Sequence, residues 1–204
     1  MSLSTALALR RIVPAAGAAL LLYLNTGCSV VTVPEPIGDE VTELDPSEWE
    51  GIWEDNSGII FGIDDPVIFQ ARVPDPASGE IELAALVEND DDELVPRFVT
   101  VTIRGVAQAD WEFASYTVEG AQGQFLWGRI VRMDDYVLVW APDADKFKEL
   151  VEQGRLRGTI DNDDNVNLET PTSEELASIA EEEWGMLFFW DEPLIYRRIS
   201  PNTQ

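Results

Sequence analysis

The sequence predicts a mainly β fold of the α+β class: an antiparallel meandering sheet or barrel, with two short helices in its C-terminal third. Turn residues recur about every eight to twelve positions, which is the spacing of short antiparallel strands. Residues 98–103 alternate apolar and polar side chains, a pattern typical of a strand with one buried face. Two amphipathic segments carry helix-start signals, one at Asp143 and one at Thr172.

Residues 1–27 have the three parts of a signal peptide. A short n-region ends in Arg10-Arg11, an apolar run extends from Ile12 to Leu24, and small residues precede Cys28. The apolar run is short for a transmembrane helix, and Pro14 weakens it further. We therefore expect an exported protein from which the leader is removed.

Thr26-Gly27-Cys28 resembles the lipobox of bacterial lipoproteins, although Asn25 stands where that motif prefers leucine. The resemblance implies that the Cys28 thiol receives a diacylglyceryl group and that Cys28 becomes the first mature residue. Ser29 at the next position implies the outer membrane, on its periplasmic face. There are two alternatives to a lipidated Cys28. The leader is an ordinary secretory one, or it is an uncleaved anchor and the cysteine is incidental.

Residues 28–44 are predicted to form a lipidated tether. The stretch from Ser29 to Glu43 has two prolines, one glycine and four acidic residues, and it shows no sustained hydrophobic period. A single β-rich domain is then expected over residues 45–200. Asp45-Pro46 predicts its first element, a helix of one turn with an aspartate N-cap.

The strands of the domain are predicted from β-branched and aromatic runs between turn residues. Tyr136–Trp140 is apolar on both faces, so we place it centrally in the sheet. The predicted strands before the helical region are Ile59–Ile63, Val67–Val73, Glu80–Leu83, Phe98–Ile103, Trp111–Val118, Gln124–Arg132 and Tyr136–Trp140.

The C-terminal third mixes helices and strands. Asp143 is the predicted N-cap of a helix that ends at Gly154, and Thr172 with Glu175 forms a capping box for the next helix. A hairpin is expected between these helices. The predicted strands here are Arg157–Ile160, Val166–Leu168, Gly185–Trp190 and Leu194–Ile199.

Gly51-Ile52-Trp53 after a short helical turn resembles the first strand of lipocalins and other calycins. In those barrels the tryptophan closes one end, and an arginine of the last strand packs across it. Arg197 and Arg198 stand on the last predicted strand, so the resemblance implies that one of them pairs with Trp53. A buried tryptophan at the start of an ordinary sheet is the alternative.

The order of elements after Pro142 also resembles a group of small proteobacterial outer-membrane lipoproteins of unknown function. A short helix, a hairpin, a second helix, a Phe/Trp-rich strand and a final Pro-Leu-Ile-x-Arg-Arg run carry this likeness. It implies envelope localisation and no catalytic motif.

Composition excludes several functions. The chain has 39 Asp and Glu against 13 Lys and Arg, and loss of Arg10 and Arg11 with the leader leaves eleven of these, a net charge of −28. Such a surface repels nucleic acid. The chain has no histidine, which removes Ser-His-Asp and Cys-His catalysis. Its single cysteine excludes an intrachain disulfide.

Trp111, Trp127 and Trp140 are the candidates to line a ligand cavity, with an ordinary aromatic core as the alternative. Asp161–Asn165 spaces oxygen ligands as calcium loops do, but it lacks the glycine and the distal acid of such loops, so a solvated hairpin tip is favoured. We predict no metal site and no cofactor.

The sequence favours a non-enzymatic envelope lipoprotein with a structural or interaction role. Its expected partners are the membrane, through the lipid anchor, and either an envelope protein or a hydrophobic small molecule. A lipocalin-like carrier of a hydrophobic ligand is the alternative, and a carboxylate-based envelope hydrolase is the least favoured, since no nucleophile or base stands out.

Overall fold

The computed structural model describes residues 29–63, 65–89, 92–117, 123–183 and 185–201. The predicted signal peptide and Cys28 lie outside this part of the chain. The strands are β1 (Val31–Val33), β2 (Glu40–Val41), β3 (Gly51–Asp55), β4 (Val67–Arg72), β5 (Glu80–Glu88), β6 (Leu94–Val106), β7 (Ala109–Tyr116), β8 (Phe125–Met133), β9 (Tyr136–Trp140), β10 (Gly158–Ile160), β11 (Val166–Leu168) and β12 (Leu194–Pro201). The helices are α1 (Pro46–Trp49), α2 (Ala144–Glu152) and α3 (Ser173–Ala180), and short 3₁₀ turns span Ile59–Phe61 and Pro76–Ser78.

Eight antiparallel strands form a closed barrel. Strands β3 to β9 follow one another as a meander, each pairing with the next. β12 lies between β9 and β3 and is antiparallel to both, which closes the barrel without an open edge. The mainly β fold predicted from the sequence is therefore confirmed, in its barrel form.

Three short strands, β1, β11 and β10, extend the sheet outside the barrel, starting from β8. The second half of β8 pairs with β9, whereas Phe125 and Leu126 at its start pair with Val33 and Thr32 of β1. β11 lies parallel to β1, and β10 is antiparallel to β11. The β10–β11 hairpin and the two longer helices thus form a second layer outside the barrel wall.

The helices begin where their capping residues predict. Asp45 accepts a hydrogen bond from the Ser47 amide, and Asp143 caps α2 through the amides of Asp145 and Lys146. Thr172 and Glu175 form both hydrogen bonds of the predicted capping box at α3.

The molecule has two apolar cores, one on each side of the barrel wall. The first fills the barrel and is built from inward-facing residues such as Trp53, Phe69 and Ile103. The second lies between the outer face of β7–β8 and the helical layer, and it includes Phe113, Trp127 and other aromatic residues. β7 contributes to both, because successive side chains of a strand point to opposite faces.

The structure corrects the predicted tether. Val31 and Val33 are buried in β1, and Ile37 and Leu44 are also buried, so residues from Val31 onward belong to the fold. The strand was missed because β1 is only three residues long and Pro34 interrupts the pattern directly after it.

Two predicted strands are also wrong. Within the predicted strand Ile59–Ile63, residues Ile59–Phe61 form a 3₁₀ turn, because Gly58 and Gly62 on either side of the turn adopt left-handed backbone conformations with φ of 67° and 70°. Gly185–Trp190 makes only an isolated bridge between Phe188 and Pro142, since proline has no N–H to extend a ladder.

Candidate functional site

One end of the barrel is closed around Trp53. The indole Nε1 of Trp53 donates to the Trp49 carbonyl at 2.9 Å, which ties the ring to α1. The guanidinium of Arg198 lies 5.0 Å from the Trp53 ring centroid, a cation–π distance. The same guanidinium donates to the carbonyls of Ser47 and Glu48. The side chains of β3, β12 and α1 thus close this end together.

The structure separates the two candidate arginines. Arg198 is the cross-strand partner of Trp53 and lies over its ring. Arg197 points to the outer surface, where its Nε and Nη2 donate to Glu54 Oε2 at 3.1 and 2.7 Å. This follows from the alternation of side chains along β12.

The barrel interior near Trp53 also contains polar groups among apolar ones. Asp55 is 1% exposed, and its Oδ1 accepts from the amide and the hydroxyl of Ser57 at 2.8 and 2.6 Å. Among the described residues, its Oδ2 has no hydrogen-bond partner. Burial, and then the charge of Asp55, raises the pKa of Tyr116 to about 12. Burial, and then the neighbouring Tyr116 and Asp55, raises the pKa of Tyr196 as well.

The three tryptophans expected at a ligand cavity lie outside the barrel. Trp127 is buried in the second core, where it makes edge contacts with Phe113 and Phe147. Trp111 and Trp140 are half-buried at the border of that core. They therefore pack the helical layer against the barrel rather than lining the barrel interior.

Trp111 and Trp140, together with Trp190, also surround the guanidinium of Arg129. The guanidinium of Arg129 lies 3.9 Å from the ring centroid of Trp111, 5.0 Å from that of Trp190 and 5.8 Å from that of Trp140. Desolvation lowers the pKa of Arg129, although the charges of Glu182 and Asp110 work in the other direction. This aromatic cluster is thus already occupied by the protein's own side chain.

An apolar groove of about 340 Å³ lies on the outer wall of the barrel. Ile52, Gln70, Ala84 and Phe98 stand side by side on β3, β4, β5 and β6 and form one row across its floor. The small side chain of Ala84 at the centre of this row leaves the depression between its neighbours. The lining residues are Ile52, Ile68, Phe69, Gln70, Ala84, Ala85, Leu86, Pro96 and Phe98.

The groove exposes large apolar side chains to solvent. Phe98 is 77% exposed, Leu86 64% and Ile68 59%. Single exposed apolar residues are ordinary, but a contiguous apolar depression on a protein surface is typical of a binding site. This groove is the best-supported candidate site in the described part of the chain.

Sequence reasoning missed the groove, although one signal was present. In the alternating run 98–103, Phe98 shares the face of Thr100 and Thr102, which is the solvent face of β6. A phenylalanine on the polar face of an amphipathic strand marks an exposed apolar contact. Leu86 gives the same signal on β5, since it shares the outward face of Glu80 and Glu82.

The remaining candidate sites, including the hairpin tip at Asp161–Asn165, give weaker evidence for binding than the groove does. Asp161 Oδ1 accepts from the amides of Asp163 and Asn165, and its Oδ2 accepts from the Asn165 side chain. Although burial opposes it, hydrogen bonding by Asn165 holds the pKa of Asp161 below its usual range. The Asp161 carboxylate therefore stabilises the turn at the tip of the β10–β11 hairpin. Across the described residues, no group of three or more His, Cys, Asp or Glu side chains is arranged to hold a metal ion.

Two further observations bear on the site. None of the helices in the described ranges is long and apolar enough to cross a membrane.

Comparison of the chain with protein-family models, with curated proteins and with solved structures gives no match.

Proposed function

We propose that this chain is a lipoprotein of the bacterial outer membrane, anchored through Cys28 on the periplasmic side, with a non-catalytic role as a binding module. Its binding surface is the apolar groove on β3–β6, and its partner is another envelope protein. The observation that carries this proposal is the exposure of Ile68, Leu86 and Phe98 together on the wall of a strongly acidic barrel.

The residue inventory supports a non-catalytic role. The absence of histidine removes the commonest general base and proton shuttle. Among the carboxylates of the described residues, Asp55 is the buried one, and one of its oxygens accepts hydrogen bonds from Ser57. The groove itself is lined by apolar side chains and one amide, Gln70, which supply contact area rather than a nucleophile or base.

The anchor is tested by metabolic labelling with a radioactive fatty acid. Wild-type protein should incorporate the label and fractionate with the outer membrane, whereas Cys28→Ala should take up no label and leave the membrane. Stable anchoring is expected only with more than one acyl chain. Wild-type protein that stays in the membrane without any label would contradict the lipoprotein proposal.

The binding role is tested by co-purification after chemical cross-linking in intact cells. The double variant Leu86→Ser/Phe98→Ser should lose the cross-linked partner that wild-type protein retains, because it removes the two most exposed apolar side chains of the groove. Met186→Ser is the matched control, since Met186 is 69% exposed but lies outside the groove. Equal recovery of the partner by the double variant would exclude the groove as the binding surface.

A lipocalin-like carrier is the second candidate, favoured by the closed eight-stranded barrel and by Arg198 over Trp53. The packed first core argues against it, because side chains such as Trp53, Phe69 and Val101 occupy the interior. Solvent extraction of the purified protein followed by mass spectrometry distinguishes the two. A stoichiometric hydrophobic small molecule in the extract would favour the carrier over the binding module.

A further inference from the structure

The fold begins almost at the proposed anchor. Only Ser29 and Val30 separate Cys28 from β1, and Val31 is already buried. The Val30 amide donates to Asn165 Oδ1 at 3.0 Å, which fixes even this short link to the β10–β11 hairpin. Since an extended residue spans at most about 3.6 Å, the lipid and β1 are separated by roughly 10 Å. The domain is therefore held directly at the membrane rather than on a long tether.

The groove lies on the opposite side of the barrel from this attachment. β1 pairs with β8, and β4 is four strands away from β8 in a closed ring of eight. The groove is centred on β4 and β5, so it faces away from the point at which the lipid would enter the membrane. This arrangement presents the groove to a second protein and not to the bilayer that holds the anchor.

Carboxylates flank the groove along β5. Glu80, Glu82 and Glu88 project from the outward face of β5, in line with Ala84 and Leu86. Two nearby arginines are paired with acids: Arg72 with Glu82 at 3.9 Å and Arg197 with Glu54 at 2.7 Å. Arg97 stands between Pro96 and Phe98 on β6, and the alternation of side chains along a strand directs it to the face opposite Phe98. The rim is therefore negative, in keeping with the net charge of −28 expected for the mature chain.

We infer that the groove binds a segment of a second envelope protein in which apolar side chains alternate with lysine or arginine. The inference depends on the proposed function, because it specifies the chemistry of the partner. Apolar side chains of the segment would cover Phe98, Leu86 and Ile68, and its cations would face the β5 carboxylates. Gln70, in the middle of the floor, offers an amide to the backbone of the segment.

The probes for the test are fluorescent peptides of about 12 residues, a length that spans one strand of the wall. One alternates leucine with lysine, a second leucine with glutamate, and a third serine with lysine. The full chain is held in lipid nanodiscs, so that no detergent competes for the groove. Fluorescence anisotropy then gives the Kd of each peptide at several salt concentrations.

The leucine–lysine peptide should bind at least roughly tenfold more tightly than either of the others, because only it offers both apolar contacts and cations. Leu86→Ser/Phe98→Ser should remove this preference, and Met186→Ser should keep it. Glu80→Gln/Glu88→Gln should weaken binding of the leucine–lysine peptide and flatten its dependence on salt. Equal affinity for the serine–lysine peptide would overturn the inference, since it would show attraction by charge alone.

Two other occupants are outcomes of the same test. Binding to phosphatidylglycerol vesicles that Leu86→Ser/Phe98→Ser abolishes would show a lipid occupant, and self-association abolished by that variant would show a second copy. Either result overturns the inference. Loss of partner co-purification in the double variant, together with no preference for the leucine–lysine peptide, would overturn the inference while leaving the proposed function in place.

Discussion

Arg198 and Trp53 are cross-strand neighbours, and the Arg198 guanidinium lies 5.0 Å from the centre of the Trp53 indole. They belong to the last and the first strands of the barrel, 145 positions apart in the chain. The contact therefore joins the two ends of the barrel's chain. α1 completes it, because Arg198 also donates to the carbonyls of Ser47 and Glu48.

Removing this contact should destabilise the whole barrel. Trp53→Ala should lower the free energy of unfolding by about 3–5 kcal/mol, since it deletes a large buried aromatic side chain. Arg198→Ala should cost about 0.5–2 kcal/mol for the cation–π contact alone. Urea denaturation followed by circular dichroism measures both changes.

Arg197→Ala is the matched control for Arg198→Ala. Arg197 stands next to Arg198 on β12, but it pairs with Glu54 on the solvent side, where an ion pair contributes little. We expect a smaller loss of stability than for Arg198→Ala. Equal losses from the two substitutions would contradict the closing role assigned to Arg198.

The barrel should lose stability in alkali through its buried tyrosines. Burial and the charge of Asp55 raise the pKa of Tyr116 from 10.0 to about 12, so the folded state holds a proton that the unfolded state loses. This contribution is fully present below about pH 10 and is lost as the pH rises towards 12. The difference between the two pKa values corresponds to roughly 3 kcal/mol.

Denaturation profiles between pH 8 and pH 12 check this expectation, since they start below the ordinary tyrosine pKa of 10.0 and end near the value of about 12 for Tyr116. Tyr116→Phe should flatten the alkaline fall of the unfolding free energy, whereas Tyr136→Phe, at an exposed position, should leave it unchanged. A Tyr116→Phe protein with the same alkaline fall as wild type would show that this tyrosine is not responsible.

Salt should stabilise the protein. The mature chain is expected to carry 28 excess negative charges, whose mutual repulsion destabilises the compact state and is screened by ions. The melting temperature should therefore rise between low salt and molar NaCl. Glu80→Gln/Glu88→Gln should melt higher than wild type at low salt and gain less from NaCl. A flat or falling curve for wild type would show that repulsion among the acids does not limit stability.

The sequence predicted local structure well where a short-range signal decides it. Asp143 and the Thr172–Glu175 box set the starts of α2 and α3 through hydrogen bonds to nearby amides. The run Tyr136–Trp140 is paired on both sides, by β8 and β12, as its two apolar faces predicted. The likeness of Gly51-Ile52-Trp53 to calycin barrels implied an arginine of the last strand near Trp53, and Arg198 lies opposite Trp53 in the β3–β12 register.

Features that depend on distant pairing were harder to predict. β1 is a strand because Val31 pairs with Val166, 135 positions away, and a three-residue strand has no detectable period of its own. Trp127 was a candidate for the interior, but the helical layer added by residues 144–180 covers the outer face of β8 and makes a second core there. The groove was missed because Ile68, Leu86 and Phe98 meet only when three strands, β4, β5 and β6, align.

The measurement that tests the central claim most directly is site-specific photo-cross-linking in intact cells. Benzoylphenylalanine placed at position 98 keeps an aromatic side chain on the groove, and the same residue at position 186 is the control on another surface. We predict a discrete protein adduct from position 98 that is absent from position 186 and that disappears in Leu86→Ser protein. No adduct at position 98, or equal adducts at both positions, would contradict the assignment of this groove as the binding surface.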